Sequence, residues 1–82
     1  MKVRRVKIRG KTWRIVIGKM PARRTDGFCR YTDRTIFIRP RADHFTTAIH
    51  EVLHACFPDL EEGAVIDAEE AIVRVLSVIA PK

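Results

Sequence analysis

The chain has 82 residues, a formal charge of +6 at pH 7, 46% hydrophobic residues and 32% charged ones. That balance excludes a disordered polypeptide, and no apolar run is long enough to cross a bilayer. The start, "MKVRRVKIRG", is basic but lacks the apolar stretch of a secretory signal, so a cytoplasmic protein is expected. Two cysteines, Cys29 and Cys56, are too few for a disulfide framework and read as small core residues. The length predicts one domain, residues 1–82, near the lower limit of what folds without a staple.

The charge is unevenly distributed. Residues 1–42 hold 14 basic side chains against 2 acidic ones, while residues 43–82 hold 2 against 8. A basic half of this kind suits an anionic partner such as DNA, with Arg5, Lys7, Arg9 and Arg14 as candidate phosphate contacts.

In chain order, "VRRVKIRG" and "TWRIVIGK" alternate as strands do, with Val6 and Ile8 on one side of the first and Trp13, Ile15 and Ile17 aligned in the second. A tight turn at Gly10–Lys11 joins them. "MPARRTDG" reads as a loop, and "FCRYT" and "TIFIR" form a second hairpin turning around Asp33–Arg34. A helix starts at Asp43 or at Thr46–Thr47 and runs to about Phe57; "FPDL" breaks it, and a second helix runs from about Leu60 to Ile79. The order ββββαα predicts an α+β domain. A basic region of two hairpins (1–40) forms a small antiparallel sheet, followed by two antiparallel helices (43–80) that carry a metal-binding pattern.

That pattern is "HEVLH". On a helix His50 and His54 are neighbours one turn apart, a spacing that offers two imidazole nitrogens to one ion without bending the backbone. Glu51, next to the first histidine, is then placed to take a proton from a metal-bound water. The remaining positions from Thr47 to Phe57 are uncharged, as a helix lying in the core beneath a dry cleft requires. His44, six residues before His50, falls outside the pattern and reads as a capping-region histidine.

A catalytic zinc uses three protein ligands plus water, so a third must come from the second helix. Asp67, Glu70, Arg74 and Ser77 share a polar arc, with Glu70 and Arg74 an ordinary exposed i, i+4 pair. Glu62 and Glu69 instead fall within the apolar arc with Val65, Ile72, Val73 and Leu76, where a charge needs a partner. Both bracket the expected level of the ion, and helical geometry does not choose between them. Asp59 and Glu62 also have the spacing of an N-cap and its N3 partner, which would account for Glu62 without metal.

"HEVLHACFPDL" followed by an acidic helix start, together with the "DGFCRYTDRTIFIRP" hairpin, resembles the small HExxH zincin-type proteins of phages and prophages, and does so over most of the chain. The resemblance implies a minimal zincin-like fold, a host-cytoplasm location if phage-encoded, and Glu62 rather than Glu69 as the third ligand. The layout is more loosely similar to SprT-like and ImmA/IrrE-type metallopeptidases, the first of which act on DNA-associated proteins. The chain departs from these in lacking a second subdomain for the far wall of a cleft and in showing no clear oxyanion donor, Tyr31 and the arginines of the second hairpin being candidates.

The expected function is therefore a zinc-dependent peptidase cleaving peptide or protein substrates. His50, His54 and Glu62 (rival Glu69) bind the metal, Glu51 is general base, and the strand at 35–39 edges the cleft and pairs with an extended substrate. The alternative is a nucleic-acid-binding or DNA-recruited module in which the zinc is structural.

Overall fold

The computed structural model describes residues 2–18, 26–40 and 44–80. The predicted turn segment around Pro21 and the candidate helix start at Asp43 lie outside them. Four strands, β1 (Lys2–Ile8), β2 (Lys11–Ile17), β3 (Gly27–Arg30) and β4 (Thr35–Ile38), precede two helices, α1 (His44–Cys56) and α2 (Glu62–Ile79). The chain is α+β.

The sheet is mixed rather than antiparallel. Its order is β1-β2-β4-β3, with both hairpins antiparallel but β2 and β4 parallel, Arg14 opposite Thr35 and Ile17 opposite Ile38. The reason lies in the composition of β4, whose "TIFI" carries no charge. An interior position lets β4 bury Ile36 and Thr35 completely, whereas an edge would leave those residues in water. Parallel neighbours need a crossover of a dozen or more residues, and residues 18–34, which include β3, supply it. The strand that edges the site is consequently β3, not the predicted 35–39 segment.

The β1–β2 turn also sits one residue earlier than expected, at Arg9–Gly10. Both residues have positive φ, 51° and 81°, the pairing that matches a two-residue hairpin to the twist of its strands.

One sheet face carries Ile8, Trp13, Ile36 and Ile38, packed with Ile15, Ile17 and Cys29 against Ala48, Val52, Ala55 and Cys56 of α1. Both cysteines are free and belong to this core. Helix α1 lies over β3 and β4, and α2 packs on α1. The two helices run antiparallel: His54 meets Glu62, His50 meets Glu69, and Phe45 and Ile49 share an apolar groove with Leu76 and Ala80. Arg9 ties the hairpin to the end of α1, its guanidinium donating to the Cys56 carbonyl at 2.8 Å and lying 5.6 Å from the Phe57 ring centre. Among the described residues, no helix is long and apolar enough to cross a membrane.

Candidate metal centre

Between α1 and α2 the two helices bring five functional side chains together. "FPDL" closes the first helix through Phe57 N–H donating to Leu53 O and Leu60 N–H donating to Phe57 O. Helix α2 then begins with Glu61 as its N-cap residue, and no side chain caps it. The alternative account of Glu62, as the N3 partner of an Asp59 cap, does not hold, because the N-cap residue is Glu61. The Glu62 carboxylate turns to the histidines instead.

There His54 Nε2 lies 2.9 Å from Glu62 Oε1, His50 Nε2 lies 3.2 Å from the same oxygen, and the two Nε2 atoms are 3.2 Å apart. An ion bonded at about 2.0–2.1 Å in a tetrahedron keeps its ligands about 3.3 Å apart. The triangle is thus close to one face of a tetrahedral site, and His50, His54 and Glu62 form a group able to hold a metal ion. The Glu62 side chain is 64% exposed against 19% and 21% for the histidines, so the third corner faces solvent.

Glu69 occupies a different position. Its Oε1 is 2.6 Å from His50 Nδ1, with both side chains largely buried. A carboxylate there accepts the Nδ1 proton, which leaves the Nε2 lone pair free to bind a metal and fixes the ring orientation. The two glutamates of the apolar arc therefore have separate roles: Glu62 stands with the imidazole nitrogens, and Glu69 holds one imidazole from behind.

Glu51 is buried at 8% exposure. Its carboxyl is pushed above the ordinary range, first by burial; the histidines oppose the shift, and Glu62 and Glu69 add to it. It lines a cleft of about 320 Å³ together with His50, His54, Glu62 and Gly27, Cys29 and Tyr31 of the second hairpin. A second opening of about 300 Å³ reaches Glu51, His50 and Glu69 from the Thr46–Thr47 side.

In sequence Gly27 reads only as the end of the loop "MPARRTDG". It opens β3, and a Cβ there would lie 2.5 Å from Thr47 Cγ2 and 2.9 Å from both Cγ and Oε2 of Glu51. The absence of a side chain lets β3 approach α1 closely enough to shape the cleft wall around Glu51. An Asp-Gly pair also marks ordinary turns, so the sequence held no distinguishing signal.

Tyr31 reaches the cleft, but its hydroxyl donates to the His54 carbonyl at 3.0 Å. Burial pushes its pKa up to about 12, so it remains a donor at neutral pH. The arginines of the same hairpin are engaged elsewhere: Arg30 forms a two-pronged pair with Asp33, and Arg34 donates to Thr12 O. His44 begins α1 and stacks near Phe45.

Of the four predicted phosphate contacts, Arg5, Lys7 and Arg14 share the sheet face turned away from α1, with Arg5 directly opposite Arg14. Arg9 is not with them, being held at the end of α1. The chain matches no family model, no curated protein and no solved structure.

Proposed function

We propose that the chain is a minimal zinc-dependent metallopeptidase, and one observation carries the reading. Three donor atoms lie 2.9–3.2 Å apart, with a buried carboxylate opening onto the same cleft. Two imidazoles and a carboxylate are the donor set of a catalytic zinc, which keeps a fourth position for water or substrate. His50, His54 and Glu62 would hold the ion, which would supply Lewis acidity toward a water (pKa toward ~7) and toward a substrate carbonyl.

The chain's own residues supply the rest. Glu51 accepts the proton of the attacking water and delivers it to the leaving amine, and its buried setting, which raises its proton affinity, suits a base that must carry that proton between the two. Glu69 keeps the His50 lone pair aimed at the site. Strand β3 lies at the edge of the sheet beside the histidines, the position at which an extended peptide adds as a further strand. On this reading the substrate lies against β3 rather than the 35–39 segment, because β4 is interior to the sheet.

The deciding experiment is metal analysis of the purified protein together with a Glu51→Gln variant. About one zinc per chain and a loss of turnover of ~10²–10⁴-fold with the metal retained are expected. Full turnover by that variant would refute the general-base role. Retention of zinc with no cleavage of any substrate, and melting of the fold on chelation, would assign the ion a structural role instead.

A second reading, nucleic-acid binding by the basic sheet, is favoured by one specific observation. No acidic residue occurs in any of the four strands, and Arg5 faces Arg14 across the β1–β2 pair, a like-charge pairing that weakens a sheet unless an anion relieves it. DNA binding that falls steeply with salt and is lost in Arg5→Glu/Arg14→Glu, with zinc content unchanged, is the expected result. Binding unaffected by that double change would dismiss the surface.

A further inference from the structure

Helix α2 has a second apolar face, half-buried at Ala64 and Ala68 and exposed from Ala71 onward. Beyond the arc that meets α1, Ala64, Ala68, Ala71, Val75 and Val78 follow one another at alternating spacings of four and three residues. Val75 is 58% exposed, Val78 85%, and the flanking Ile72 and Ile79 37% and 67%. An exposed, contiguous stripe of valine and isoleucine is uncommon on a monomer surface. A strict four-three alternation is the seam that a second helix packs into, because it repeats every 3.5 residues.

The charges beside the seam identify the second helix. With Ala68 and Val75 as one core position and Ala64, Ala71 and Val78 as the other, the residues flanking one side are Asp67 and Arg74. Those on the other side are Val65, Ile72 and Ile79. In an antiparallel pair of identical helices, like flanks meet: Asp67 comes opposite the second copy's Arg74, Arg74 opposite its Asp67, and the isoleucines face one another. In a parallel pair the charged flank would lie against Ile72 and Ile79, burying charge on apolar surface. Arg74 is available for the exchange. Its contact with Glu70 is a 3.8 Å surface pair, and its side chain is 75% exposed. Seam residues are also complementary in size, the valines of one half lying over the alanines of the other.

We infer that the protein self-associates as a two-fold dimer through antiparallel pairing of α2. The stripe lies on the side of α2 away from α1, so pairing leaves the cleft between the helices open, and the inference does not depend on the peptidase reading. The interface is small. A helix of this length is about 27 Å long and about 10 Å wide, less than the ~800 Å² per partner of a standard interface. The dimer is therefore expected to dissociate in the micromolar range rather than to be permanent.

Sedimentation of the intact protein across a concentration series tests this. The mass should rise from 9.4 kDa toward twice that value, with half-conversion between about 1 and 100 µM. Val78→Lys, at a site too exposed to matter to the monomer fold, should abolish the rise while leaving the helical circular dichroism unchanged. Asp67→Arg and Arg74→Asp should each weaken association about tenfold, and the two combined should restore it to near wild type, since only an antiparallel pair exchanges these charges. A mass fixed at the monomer value up to about 0.5 mM would overturn the inference. So would a dimer indifferent to Val78→Lys, or a double charge exchange that fails to rescue.

Discussion

Replacing Gly27 by alanine isolates the contact on which the cleft geometry turns. The new Cβ would meet Thr47 Cγ2 at 2.5 Å and Glu51 Cγ and Oε2 at 2.9 Å, against ordinary contacts of 3.4–4 Å. Neither carbon is the loose end of a long side chain, so α1 must move away from β3 by about 1 Å, or both side chains must leave their rotamers. Overpacking of this kind costs about 1–3 kcal/mol, while removing a glycine from a strand returns about 0.5–1 kcal/mol. A net loss of about 1–2 kcal/mol lowers the melting temperature of a domain this size by about 5–15 °C. If the proposed peptidase role holds, a 1 Å displacement of Glu51 should lower turnover up to ~10²-fold. Thermal melts and turnover should be measured for Gly27→Ala alone and combined with Thr47→Ser, which deletes the shortest contact. The double variant should regain part of the stability and little of the activity, because the Glu51 contacts remain. A Gly27→Ala protein that melts no lower than wild type and turns over equally well would refute the reasoning.

Three further outcomes follow from the same geometry. Glu62→Ala should remove most zinc binding, whereas Glu69→Ala should lower affinity only about 10–100-fold; titration with a competing chelator separates the two, and equal effects would erase the distinction between ligand and orienting carboxylate. Arg9→Ala should cost about 1 kcal/mol by freeing the Cys56 carbonyl, seen in denaturant midpoints, with no change in DNA affinity or its salt dependence. Cys29 has its thiol pushed up to about 11, chiefly by burial and then by Glu51, so it should resist alkylation at pH 8. Because the folded state holds that proton longer than the unfolded one, the contribution to stability is complete below about pH 8.5 and is lost as pH rises toward 11. Melts of Cys29→Ala between pH 8 and 11 should lack this decline.

The helix carrying His50, Glu51 and His54 was legible because three signals agreed: histidines one turn apart, uncharged positions around them, and no Pro or Gly within the segment. The roles of Glu62 and Glu69 were not separable, since a helical wheel gives direction but not height. Which nitrogen of His50 each carboxylate approaches depends on where α2 starts, and the "FPDL" turn delays that start to Glu61. Both hairpins were visible from alternation, yet their order in the sheet was not, because alternation tells a strand which way its side chains point and not which strand lies beside it. The clue was composition. "TIFI" has no charge to show to water, and that alone argues for an interior strand.

The parallel seam between β2 and β4 has a kinetic corollary. Each hairpin pairs residues close in sequence and can form in microseconds, whereas the seam brings together positions 21 apart, from Arg14 with Thr35 to Ile17 with Ile38. Closing that junction is therefore the step expected to limit the folding rate, and it also sets the height of β3 against α1. A register slip of one residue there would leave each hairpin intact yet carry Gly27 off its seat on Glu51. Substitutions along the junction should slow folding, while those at the outer strand β1 should chiefly hasten unfolding.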